Sequence, residues 1–170
     1  MQPFVIALYT GKGIPMLWNG QEFGENWGVP NWGNGRNLFE RPLHWEYFYD
    51  GAGKALVRLH RLAGTLRRSH RALRSRGFFF YYYDQTHLAQ RVIAYRRKAD
   101  ADADGAHPAE DLLVVLNFSD SDAEVGLPFP ATGQWVEQID GTRPPVTIST
   151  DGQWSAVVVP SNYGGVYKRT

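Results

Sequence analysis

The chain has 170 residues and no cysteine, and its 18 Lys and Arg nearly cancel 17 Asp and Glu, leaving a formal charge of +1. Disulfides, thiolate catalysis and cysteine-ligated zinc are thereby excluded, and near-neutrality removes the long-range field that steers proteins onto nucleic acid or anionic membranes. With 43% hydrophobic and 21% charged residues the composition is globular, but 14% aromatic is high, and Trp18, Trp27, Trp32 and Trp45 fall in the first third.

Met1–Leu8 lacks the basic leader and small-residue cleavage site of a secretory signal and reads as the interior of a longer polypeptide. Phe4–Thr10 followed by Gly11-Lys12-Gly13 suits the last turns of a helix with a glycine cap. Ile14-Pro15-Met16-Leu17-Trp18-Asn19-Gly20 is a short apolar run of the kind that forms a strand buried on both faces. Residues 21–53 carry no sustained period and are rich in Gly, Asn, Pro and Trp, the profile of a long functional loop. Leu56, Leu59, Ala63 and Leu66 then recur at spacings of three and four, with Ala55, Leu62 and Leu73 widening the stripe, and predict an amphipathic helix over 54–74. No apolar run approaches the roughly 20 residues of a membrane-spanning helix, so no membrane association is expected.

After Gly77 the pattern changes to short β-branched and aromatic runs: 78–83, 91–96, 112–117, 133–138 and 155–159. Turn residues separate them, which predicts a small antiparallel sandwich. The chain therefore divides into 1–77, α/β in character, and 78–170, all-β. One buried strand and two helices cannot close a core, so residues 1–77 read as the end of a larger parallel α/β domain.

Gly13-Ile14-Pro15-Met16-Leu17-Trp18-Asn19-Gly20-Gln21-Glu22-Phe23-Gly24 resembles the last barrel strand of the alpha-amylase family, glycoside hydrolase family 13. Arg41-Pro42-Leu43-His44-Trp45 is similar to a segment of that family's last βα loop, Leu59–Leu73 to its final barrel helix, and Leu113-Val114-Val115-Leu116-Asn117-Phe118-Ser119 to a strand of its C-terminal β-sandwich. The resemblance implies the C-terminal end of a (β/α)8 TIM barrel, residues 1–77, followed by a β-sandwich, residues 78–170. It implies a retaining enzyme on α-linked glucans or maltooligosaccharides, whose Asp nucleophile, Glu acid/base and supporting Asp lie on earlier strands. A barrel takes about 250 residues, which places most of it upstream of Met1. Hydrolysis, branching, debranching and transfer remain open, and the alternative is a non-catalytic glucan-binding or accessory module.

No catalytic residue is expected within the chain. Glu22 and Glu25 follow the predicted strand, but Glu22 reads as a loop anchor through backbone hydrogen bonds rather than as an acid/base. Trp27, Asn31, Trp32 and Arg36 combine apolar rings with hydroxyl-binding groups and form a candidate outer glucan subsite, while Trp18 and Trp45 read as packing residues. Asp100-Ala101-Asp102-Ala103-Asp104-Gly105, with Asp111 at the twelfth position, has the spacing of a calcium loop. Its strand-like flanks favour a solvated acidic loop, and no metal or cofactor is expected. Seven arginines between Arg58 and Arg76 suggest phosphate binding, but acids elsewhere neutralise the chain and no nucleic-acid partner is expected. The five histidines show no metal-ligand spacing.

Overall fold

A computed structural model describes residues 1–26, 42–81 and 85–170. These form two compact units, one of residues 1–15 with 62–170 and the other of residues 16–61.

In the larger unit α1 (Gln2–Thr10) is the expected helix. Its glycine cap differs from expectation: Gly11 has φ −66° and is extended, and what requires glycine is space, since a Cβ would lie 2.9 Å from the Ala7 carbonyl. The strand expected at 14–20 does not form. Among the described residues this segment pairs with no strand, and Ile14 is 95% and Met16 78% exposed. An apolar run gains strand structure only when a partner accepts its N–H and C=O groups, and the described residues provide none beside it.

The periodic helix is present as α3 (Gly51–Ser69), with α2 (Trp45–Tyr49) just before it and a 3-10 turn at Arg71–Leu73 just after. Leu59, Ala63 and Leu66 are buried as the period requires, whereas Leu62 is exposed, so the apolar stripe is narrower than the sequence suggests. The helix starts three residues early because Asp50 caps it: its Oδ1 accepts the Gly53 amide at 2.6 Å. Gly53 is obligatory there, since a Cβ would fall 1.7 Å from the Tyr47 carbonyl.

Among the described residues eight strands follow: β1 (Gly77–Phe80), β2 (Val92–Ala99), β3 (Glu110–Asn117), β4 (Ala123–Pro128), β5 (Gly133–Glu137), β6 (Val146–Ile148), β7 (Trp154–Val159) and β8 (Gly164–Arg169), with the short helix α4 (Gln85–Ala89) after β1. All described pairings are antiparallel, in a six-stranded sheet of order β1-β2-β3-β8-β5-β6 and a two-stranded sheet of β4 and β7. The mostly antiparallel β architecture is as expected for residues 78–170. Period-2 alternation sends Leu113, Val115 and Tyr167 of the large sheet and Val125, Leu127, Val157 and Val159 of the small one into a shared core. Its centre is Trp135, fully buried, edge-on to Phe129 at 5.4 Å and donating from Nε1 to the Ala131 carbonyl at 2.9 Å.

β3 is buried on both faces, which explains its unbroken apolar run. On its second face Leu112, Val114 and Leu116 meet α1 and the 3-10 turn. Arg97 of β2, fully buried, joins these elements. Its Nε donates to the Gly77 carbonyl, Nη1 to those of Thr10 and Gly11, and Nη2 to those of Leu73 and Ser75. Arg67 adds bonds to the carbonyls of Tyr9, Gly11 and Gly13, so two cations sit at the negative end of α1. Burial pushes both guanidinium groups below their ordinary pKa, with neighbouring arginine charge as the lesser cause. Tyr95 closes the junction: its hydroxyl meets Thr10 Oγ1 at 2.5 Å, and burial pushes its pKa up to about 12.

Glu110 performs a related task at the start of β3. Its carboxylate accepts the Ala72 amide at 2.9 Å and lies 2.5 Å from His70 Nδ1. Burial works to raise its pKa, but the Ala72 amide, His70 and Lys168 outweigh it and hold the group below its ordinary value.

Replacing Arg97 by Ala leaves buried carbonyls without donors and is expected to cost about 3 kcal/mol or more, whereas Arg58→Ala on an exposed face costs under about 0.5 kcal/mol; urea unfolding of both variants checks this. Because the folded-state pKa of Glu110 is depressed, its contribution is present above the unfolded-state value and disappears as pH falls through the folded one. The stability gap between the parent chain and Glu110→Gln is therefore expected to shrink as denaturation is repeated at successively more acidic pH, through the carboxylate range.

Candidate functional site

The smaller unit is organised by two glycines four residues apart. Gly20 and Gly24 have φ of 85° and 82°, a left-handed conformation that favours glycine, and they bracket a single 3-10 turn at Gln21–Phe23. Gly20 is doubly constrained, because a Cβ would lie 2.7 Å from that of Glu25 and 2.9 Å from Leu43 Cδ2. The turn drives Phe23 into the interior, where its ring lies 5.7 Å from Trp45 and 6.0 Å, edge-on, from Phe48.

Glu25 then ties Asn26 to His44, residues well apart in the sequence. Its Oε1 accepts the Asn26 amide at 2.9 Å and its Oε2 the His44 amide at 2.6 Å. His44 Nδ1 lies 2.8 Å from Oε1, and a carboxylate acceptor places the proton on that nitrogen. The imidazole in turn stacks on Tyr47, with centroids 5.0 Å apart, and Tyr47 Oη donates to Asn26 Oδ1. Glu22 occupies the 3-10 turn, half-buried, and its charge acts on the buried His60, opposing the burial that pushes that imidazole below its ordinary pKa.

Beside this clamp Trp18, Asn19, Gln21, Asn26, Pro42 and Leu43 line a recess of about 370 Å³. Gln21 Oε1 accepts the Trp18 amide at 3.1 Å and fixes the indole's backbone, while Trp18 itself stays 64% exposed and Trp45 is largely exposed too. An indole among side-chain amides offers a hexose an apolar surface for its C–H face and hydrogen bonds for its hydroxyls. Trp27, Asn31, Trp32 and Arg36 lie outside the described residues, so the structure does not bring them to this recess or away from it.

Sequence reading misses the Glu25–His44 clamp, whose members are 19 residues apart and carry no local signature. The Gly20 and Gly24 spacing around Gln21–Phe23 and the Asp50 cap are readable signals. In the acidic loop the carboxylates turn to separate side chains: Asp100 to Lys98, Asp102 to Arg71 and the His107 ring, and Asp111 to Arg96. Among the described residues no three His, Asp or Glu side chains converge on a point that would hold a metal. The arginines are spent similarly, Arg67 on α1, Arg71 on Asp102 and Arg74 on the carbonyls that end α3. No described helix is long and apolar enough to cross a membrane.

Comparison with known proteins agrees with this architecture. The family model of the alpha-amylase C-terminal all-β domain matches residues 82–170. Among solved structures the chain is similar to a pullulanase complexed with maltotriose from an Anoxybacillus species, at 18% identity and a TM-score of 0.60 over 98% of this chain and 22% of that one. An Anoxybacillus alpha-amylase gives 17% identity and a TM-score of 0.62, covering 99% of this chain and 31% of that one. AmyP in complex with maltose gives 12% and 0.68, covering 98% and 33%. At such identities the likeness speaks for the fold, and the chain spans no more than a third of the length of these three structures. No curated protein matches it.

Glu25→Ala removes the acceptor of the Asn26 and His44 amides. Hydrogen exchange is expected to show faster exchange at the amides of Asn26 and His44 by roughly tenfold or more, with the sandwich amides unchanged.

Proposed function

The chain belongs to the alpha-amylase family through its C-terminal all-β domain, and from that membership we propose that it serves as the C-terminal part of a retaining enzyme acting on α-linked glucans. In this reading residues 1–77 complete a (β/α)8 barrel whose catalytic acids lie upstream, and residues 78–170 are the sandwich that follows it. The observation that carries the proposal is the segment from Ile14 to Leu17, apolar and outside any sheet among the described residues, with Ile14 95% exposed. Such a run is stable in water only when covered, and neighbouring parallel barrel strands would cover it. Barrel active sites form just past the C-terminal ends of strands, which is where the indole–amide recess follows this segment.

Trp27, Asn31, Trp32 and Arg36 carry ring, amide and guanidinium groups of the types that bind sugars, and on that residue chemistry we assign them as an outer glucan subsite. Maltose and maltotriose, named in the complexes of two similar structures, are the class of oligosaccharide this reading calls for. The second reading, a non-catalytic glucan-binding or accessory module, draws support from the sandwich, which closes a core of its own.

Purified residues 1–170 are expected to release no reducing sugar from starch or maltoheptaose, and activity is expected when the upstream barrel is present. Hydrolysis by the 170-residue chain that Glu22→Gln abolishes would overturn the assignment of the acids to an upstream segment. In the complete enzyme Trp27→Ala or Trp32→Ala is expected to raise KM for maltooligosaccharides about 3- to 10-fold, from loss of one stacking contact; an unchanged KM removes the subsite.

A further inference from the structure

The outer face of the small sheet presents a second surface of the same chemistry, far along the chain from the loop. On β7, Trp154 is 51% exposed and pairs across the sheet with Pro128, next to the pair Gly126 and Ala156. A Cβ at Gly126 would lie 3.3 Å from Trp154 Cε3, so one part of the indole rests on glycine backbone while the rest faces solvent. The buried His87 of α4 sits beside it, its ring centroid 6.3 Å from that of Trp154 and its Nε2 bonded to the Gly126 carbonyl at 2.7 Å. Ring, glycine bed and histidine buttress form a platform whose orientation is fixed before any ligand arrives.

A groove of about 850 Å³ opens beside this platform at Gly126 and Ala156 and runs to Gln90, Arg91, Ser121 and Asp122. Its far wall is held rigid by the buried Asn117, whose Nδ2 donates to the carbonyls of Ser121, Val159 and Pro160 and whose Oδ1 accepts the Ser119 amide and hydroxyl. Asp122 adds a bond from the Ser161 amide, and Gln90 Nε2 donates to the Glu124 carbonyl. Among the described residues the lining carries the carboxylates of Asp120, Asp122 and Glu124 against the single cation of Arg91. That balance repels phosphates and other anions and suits a neutral ligand rich in hydroxyls.

We propose that Trp154 and this groove form a surface site for α-linked glucose chains, with one sugar on the indole and its neighbours hydrogen-bonded along the groove. The choice of α-linkage rests on the functional reading above; the polyhydroxyl class rests on the platform and lining themselves. Such a site holds a polymer without cleaving it, and it raises the local concentration of chain ends for whatever active site shares the polypeptide.

Isothermal titration of the full chain with maltoheptaose, alongside NMR of the indole N–H signals, tests it. Binding is expected to shift the Trp154 indole signal, identified by its absence in Trp154→Phe, and Trp154→Ala is expected to weaken binding at least tenfold with an unchanged melting temperature. Gly126→Val, which keeps the ring but tilts it off its bed, is expected to weaken binding as well. Maltoheptaose binding unchanged in Trp154→Ala and Gly126→Val overturns the site and leaves the enzyme reading intact. Equal binding of cellohexaose overturns the α-glucan assignment, and no binding of any oligosaccharide by the parent chain overturns the site altogether.

Discussion

The interaction on which the larger unit depends is the burial of one guanidinium among carbonyls. Among the described residues Arg97 meets no carboxylate; its five N–H groups instead go to the carbonyls of Thr10, Gly11, Leu73, Ser75 and Gly77. Those acceptors come from the end of α1, the turn after α3 and the start of β1, three places where backbone groups run out of regular partners. A buried cation without a counter-ion is costly, so the arrangement persists only because each donor is matched and the helical ends supply partial negative charge. Removing the arginine would strand the acceptors, and this is why the helical segments and the sheet stand or fall together.

Glu137 is the opposite-sign counterpart elsewhere in the same sheet. Fully buried, it accepts amides from Ile139, Asp140, Gly141 and Val166. It thereby fixes the turn after β5 to β8. Between a cation that gathers carbonyls and an anion that gathers amides, the six-stranded sheet has its irregular ends satisfied by side chains, and the apolar core around Trp135 needs to specify only the packing of one sheet on the other.

Elements whose own side chains settle their structure are legible in the sequence. β3 reads as a strand because Leu112–Leu116 are buried on both sides, and α3 as a helix because Leu59, Ala63 and Leu66 share a face. β4 and β8 escape because Gly126 with Pro128, and Gly164 with Gly165, look like turn residues; in the fold they give close approach, Gly164 admitting Ile6 of α1. Ile14–Trp18 reads as a strand because its composition is that of one, but composition cannot supply the partner that makes a strand. Arg96-Arg97-Lys98 looks like the charged edge of a sheet, and no local signal separates the buried middle residue from its neighbours, since its acceptors at Thr10 and Gly11 lie 87 and 86 residues away. The same distance effect hides the Glu25–His44 clamp, while Trp27, Asn31, Trp32 and Arg36 rest on residue chemistry alone.

For the proposed enzyme, the surroundings of the described acids bear on where catalysis would reside. A general acid for glycoside cleavage must hold a proton at neutral pH and aim it at the leaving oxygen, with a second carboxyl about 5 Å away for retention. Glu25 spends its oxygens on the Asn26 and His44 amides and the His44 ring, and Glu137 is sealed inside a turn. Glu110 is held below its ordinary pKa by Ala72, His70 and Lys168 against the opposing effect of burial, the reverse of what an acid catalyst requires. Asp102 and Asp111 answer arginines. These carboxylates are structural acceptors, each consumed by the backbone or by a cation. In the enzyme proposed above, that occupation of the acids is the physical reason to look for the cleaving pair on the earlier barrel strands.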